Sequence, residues 1–116
     1  MAGTILKAVG GSKALAAATA DQVITDVAGT GKYGYLSRFT LTCVATAAVA
    51  TTVVLKDAAS GAVLWRLVLA TAPAVNTMYT IEFPHVPRTA ALNGVFVMDT
   101  TGAAVTWDVS VNGYSI

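Results

Sequence analysis

The sequence predicts an all-β chain, an antiparallel β-sandwich of jelly-roll type with about eight strands. Val, Ile and Thr make up 36 of the 116 residues, and their branched side chains favour an extended backbone, where a stiff χ1 costs little. Two stretches, RFTLTC and AVTWDVSVNGY, alternate apolar and polar residues with a period of two. Turn-forming residues punctuate the chain at near-regular intervals, as they do in sandwiches and barrels.

Taken in order, TILKAV and QVITDV are weak strand candidates, and SKALAAATA between them reads either as a short helix or as an extended arm. Residues 1–20 are therefore expected to form an N-terminal arm or a first short strand, and residues 21–116 a single sandwich domain. In RFTLTC, Phe39, Leu41 and Cys43 share the core face. TTVVLK and AVLWRLVL form a hairpin across the turn residues Asp57, Ser60 and Gly61. TMYTIEF follows a break at Pro73, and Pro84 and Pro87 end it. LNGVFVMD and AVTWDVSVNGY are read as a closing hairpin around Thr100 to Gly102, with Val105, Trp107 and Val109 facing the core.

Two strands are apolar on both faces. If Trp65 and Leu67 fill the core, Leu64 and Val68 point outward beside Arg66, and Phe96 and Met98 conflict in the same way with Val95 and Val97. Leu64, Val68, Phe96 and Met98 are thus the candidate subunit interface. Composition argues the same way: only 11% of residues are charged, against about 25% in typical soluble domains. A surface so poor in charge is expected to be covered by other subunits.

Several function classes are disfavoured. Net charge is +1, and Lys7, Lys13, Lys32, Arg38, Lys56, Arg66 and Arg88 are scattered, so no footprint for nucleic acid emerges. The uncharged run FTLTCVATAAVATTVVL spans 17 residues, the bare minimum for a spanning helix, and its Thr alternation suits two strands better; no membrane partner is expected. The N-terminal segment imitates a signal peptide, but Gly10, Gly11 and Ser12 interrupt its apolar part. A lone Cys43 allows no internal disulfide and no zinc framework.

AGTGKYGYLSRF carries G-x-G-x-x-G at Gly29, Gly31 and Gly34. A dinucleotide fingerprint requires a helix after the glycines, whereas a strand follows here, so the motif is read as a turn. The only histidine, His85, lies in the proline-flanked segment FPHVPR. The carboxylates Asp21, Asp26, Asp57, Glu82, Asp99 and Asp108 show no spacing that argues for acid–base work. No catalytic, cofactor-binding or metal-binding residue is expected, and the chain is read as a non-enzyme.

The layout of TVVLKDAASGAVLWRLVL, NTMYTIEFPHVPR, LNGVFVMD and AVTWDVSVNGY resembles the small jelly-roll decoration, or cement, proteins on the heads of tailed bacteriophages. The resemblance implies a virion protein, usually a homotrimer, that binds the major capsid protein on the outer surface and stabilises the head. It carries over no contact residue. The competing reading is a carbohydrate- or surface-binding sandwich module of a phage tail, a fibre or a secreted protein, with Tyr33 and Tyr114 as candidate platform residues. A major shell subunit is a third reading, disfavoured by the small size of the domain.

Overall fold

The computed structural model describes residues 4–6 and 12–116, which contain strands and turns but no helix. The nine strands are β1 (Thr4–Leu6), β2 (Lys13–Leu15), β3 (Gln22–Val23), β4 (Gly34–Ala45), β5 (Thr51–Lys56), β6 (Val63–Leu69), β7 (Met78–Glu82), β8 (Val97–Thr100) and β9 (Thr106–Ser115). They form two antiparallel sheets. One runs β1-β9-β4-β7, with β2 also paired to β9, and the other runs β3-β8-β5-β6.

Alternation decides the core. Phe39, Leu41 and Cys43 on β4 and Trp107 and Val109 on β9 point between the sheets and are fully buried, as is Val105 just before β9. From the facing sheet come Val53, Leu55, Phe96 and Met98. Trp65 and Leu67 on β6 point into the same core but remain half-buried. Trp107 brings its indole Nε1–H inside with no hydrogen-bond partner among the described residues, so part of what its ring gains by burial is offset by a desolvated donor.

Three expectations need correction. The closing hairpin does not exist: β8 pairs with β3 and β5, whereas β9 pairs with β1, β2 and β4. Left-handed backbone at Gly102 (φ 99°) and Ala104 (φ 63°) turns the chain from one layer to the other, and a crossover needs the same turn residues as a hairpin. SKALAAATA forms neither a helix nor a free arm throughout, because Lys13–Leu15 is a strand on β9. Phe96 and Met98 do not face outward: both have no exposed surface, because Met98 on β8 and Phe96, just before it, alternate onto the face that packs into the core. Val97, between them, is paired to Val23 and Lys56 and is buried as well. Leu64 is half-buried and Val68 is exposed.

The β5–β6 hairpin forms, with Asp57 Oδ1 accepting from Ala62 N–H across its turn (2.8 Å). At the glycine motif, Gly29 and Gly31 adopt positive φ in the connection before β4, whose first residue is Gly34. The rest of TILKAV, from Lys7 onward, lies outside the described residues.

Candidate interaction surfaces

Strand direction determines which loops share an end. The registers Leu15↔Trp107, Ala45↔Thr106, Thr51↔Leu69, Val53↔Thr100 and Thr42↔Met78 bring segments 16–20, 45–50, 70–77 and 101–105 together at one end of the sandwich. None of these segments contains Asp, Glu, Lys, Arg or His. They are stitched by Thr100 N–H to Thr19 O (2.9 Å), Ala72 N–H to Val49 O (2.8 Å) and Asn76 N–H to Cys43 O (2.8 Å), so main-chain groups are largely satisfied without charged side chains. Val44, Val75 and Met78 are exposed there. The opposite end carries Asp26, Lys32, Asp57, His85 and Arg88. The molecule measures 47 × 26 × 24 Å and is polarised: one end can be desolvated without stranding a charge.

The two lateral edges also differ. Along the β1/β2/β3 edge the inward residues Leu6 and Leu15, with Ile24 just after β3, are 0–3% exposed, and the chain between β2 and β3 closes the gap between layers. Gln22 helps to lock that crossing: its side chain accepts from Ala16 N–H and donates to Thr19 O. On the β6/β7 edge the inward residues Trp65, Leu67, Leu69, Tyr79 and Ile81, and Phe83 just after β7, are all only partly buried. Among the described residues no strand pairs with the outer side of β6 or β7, and neither strand contains a proline or an inward-pointing charge, the usual protections of a strand edge.

An ionic cluster was missed by sequence reasoning because its members are far apart in the chain. Lys56, at the end of β5, is buried, and its Nζ lies 2.5 Å from Asp21 Oδ1 and 3.0 Å from Asp99 Oδ2. Asp99 Oδ1 accepts from Asp21 N–H (2.7 Å), and Asp21 Oδ1 accepts also from Ser60 N–H (3.1 Å). The Lys56 hydrogen bond, then the Ser60 amide, hold the Asp21 carboxyl below its ordinary value; the Asp21 hydrogen bond, opposed by desolvation, holds the Lys56 ammonium above its own. The cluster fastens the start of β3 to β5 and β8.

Its stabilising effect therefore spans the pH range between the two titrations. The contribution of Asp21 is present above the ordinary value of 3.8 and is lost as pH falls through its lowered folded value. The contribution of Lys56 is present below 10.5 and is lost as pH rises through its raised value. Lys56→Met is expected to lower the unfolding temperature at neutral pH and to flatten both limbs of its pH profile. A variant profile parallel to wild type at both extremes would show that the cluster does not set them.

On the outer face of the β9/β4/β7 sheet, Tyr35 and Tyr114 stack at 5.1 Å with their planes 12° apart. Beside them an open depression of about 470 Å³ is lined by Ser37, Arg38, Glu82, Phe83 and Asn112. It sits at the β-bulge between Leu36 and Arg38. Arg38 Nη1 lies 3.6 Å from Glu82, and with the Asn112 amide oxygen turned toward it the guanidinium donates from Nη2 at 3.0 Å. Tyr33 is covered by the Arg88 guanidinium, 4.0 Å from its ring centre.

The remaining sequence candidates are spread apart. His85 is exposed in the loop after β7. Cys43 is buried, with its Sγ near Ala45 O and Pro73 O, and burial pushes its thiol up. Among the described residues no three His, Cys, Asp or Glu side chains converge where they could hold a metal ion, and no helix is long and apolar enough to cross a membrane.

No family model and no curated protein matches the chain. Among solved structures, the chain is similar to the giant freshwater prawn Macrobrachium rosenbergii extra small virus VLP, at 13% identity and a TM-score of 0.38, covering 99% of this chain and 80% of that one. Likeness at this level leaves function to be argued from the chain's own residues.

Proposed function

We propose that the protein is a non-enzymatic structural subunit of a virus particle, a decoration protein that binds the outer surface of a capsid and stabilises it. The charge-free loop end carries this reading. Four segments from different parts of the chain converge there without one ionisable side chain, which suits an end that is desolvated against another protein surface. A cross-section of only 26 × 24 Å keeps each such contact at the low end of specific interfaces, roughly 1,000 Å² in total. Binding would then depend on several copies held together, through avidity.

Cryo-electron microscopy of virions assembled with and without the protein tests the reading. The expected result is protein density on the outer shell, with the loop end inward, and a lower disruption temperature for particles that lack it. Absence of that density overturns the proposal. A second reading, a neutral-saccharide-binding module, draws on the Arg38, Asn112 and Glu82 depression beside the Tyr35–Tyr114 stack. Glycan-dependent tyrosine fluorescence that disappears in Tyr114→Ala would favour it.

A further inference from the structure

We propose that Asn93 is a self-modification site: its side-chain amide is lost to attack by the Gly94 main-chain nitrogen, and the isoaspartyl link that results loosens the glycine-rich connection before β4. The inference stands independently of the decoration reading.

The chain contains three asparagines, Asn76, Asn93 and Asn112, and the last two precede glycine. An asparagine side chain closes on the next residue's nitrogen, forming a five-membered imide, when that nitrogen is unhindered and free to move. Asn93 alone meets both conditions. It is exposed in the turn that precedes β8, its neighbour has no side chain, and among the described residues the Gly94 N–H has no hydrogen-bond partner. Gly113, after Asn112, is held in β9 between Leu6 and Leu36, and Arg38 donates to the Asn112 amide oxygen, so closing the ring there requires the ladder to open. Asn76 shares the left-handed backbone of Asn93, with φ 71° against 56°, and is also exposed. Its neighbour, however, is the β-branched Thr77, whose N–H donates to Ala74 O (3.1 Å).

The fold imposes the labile pair. Left-handed φ favours asparagine over most side chains, and Asn93 Oδ1 accepts from Gly29 N–H (3.1 Å). A Cβ on residue 94 would lie 2.8 Å from Ala91 O and 2.9 Å from Thr89 Cβ, so glycine is required there. The Gly29 N–H also faces the oxygen on which negative charge develops during attack, as an oxyanion donor does. In the reaction Gly94 N gives its proton to water and bonds to Asn93 Cγ, the Cγ–Nδ2 bond breaks, and Nδ2 takes a proton from water and leaves as ammonia. A second water then opens the imide. Cleavage at Cγ gives aspartate, and cleavage at the Asn93 carbonyl carbon gives isoaspartate, with the side-chain methylene now in the main chain.

The consequence falls on residues 28–32. Asn93 N–H donates to Lys32 O (2.7 Å), and Gly94 O accepts from Ala28 N–H (3.0 Å). These contacts flank the bond that isomerises, so an inserted methylene puts them out of register with each other.

Incubation of the full chain at mildly alkaline pH, where the Gly94 nitrogen yields its proton more readily, followed by peptide mass mapping, tests this. Amide-to-acid conversion is expected at Asn93 at least about tenfold faster than at Asn112, since ladder positions open far less often than turns, and faster than at Asn76. Isoaspartyl-specific enzymatic methylation should label the product, and amide exchange at Ala28 and Gly29 should quicken as the protein ages. Asn93→Gly keeps the left-handed backbone accessible and removes the reacting amide, so its exchange should not change with incubation. No conversion at Asn93, equal or faster conversion at Asn76 or Asn112, aspartate without isoaspartate, or ageing that persists in Asn93→Gly each overturn the proposal.

Discussion

Phe39→Ala is expected to destabilise the fold by about 3–5 kcal/mol, the range for truncating a fully buried aromatic residue. Phe39 sits in the middle of β4 with no exposed surface, paired laterally with Ile81 and Val111. From the facing sheet Trp65 meets its ring edge-on at 5.0 Å, and Phe83 lies at 6.0 Å. The methyl of alanine leaves both aromatic neighbours facing a void, and each is only partly buried, so the void also brings the core closer to solvent. A domain of this size has only about 5–15 kcal/mol in hand, and the unfolding temperature should drop by roughly 10–25 °C. Urea unfolding followed by tryptophan fluorescence measures it. A loss below about 1 kcal/mol would mean that the sheets close over the gap, contrary to the rigidity of a packed core.

Gly113→Ala should be nearly as severe, and here strand propensity and tertiary structure predict opposite signs. Alanine in a strand interior is normally better than glycine by roughly 0.5–1 kcal/mol. Gly113 lies in β9 between Leu6 of β1 and Leu36 of β4, beside the bulge that lets β4 bend. A Cβ built there would lie 2.1 Å from Tyr35 O and 3.1 Å from its carbonyl carbon, both main-chain atoms that no rotamer change can move. Accommodating the methyl group requires prying β4 from β9 along the longest ladder of the fold. We expect a loss of about 2–4 kcal/mol and faster amide exchange at Tyr114, which pairs with Tyr35 across the β4–β9 ladder. A stabilised Gly113→Ala would show that local propensity governs this position.

Much of the strand pattern was legible because side-chain alternation is local: RFTLTC and TWDVSV announce their buried faces within a few residues. Pairing is not local. TTG between VFVMD and AVTWDV reads as a hairpin turn, yet the chain crosses between layers there, because the partners of β8 and β9 lie at residues 22–23 and 51–56 on one side and 34–45 on the other. The same limit misplaced Phe96 and Met98: with Val95 and Val97 apolar as well, alternation leaves open which set faces the core, and only the packing of the two sheets shows that Phe96 and Met98 do. Lys56, Asp21 and Asp99 carry no spacing signal, since each contributes one side chain from a different strand or turn.

Composition and periodicity by themselves determined that this chain is a β-sandwich poor in charge, and that its glycine motif before Tyr35 leads into a strand. Tertiary structure decided where that neutrality collects and which edge stays open. Charge-free segments scattered from residue 16 to residue 105 become one surface only because antiparallel strands return their loops to the same end. The β6/β7 edge is exposed because the N-terminal strands pair with β9 and β8 on the opposite flank, leaving no strand of the described chain to cover Trp65 and Tyr79.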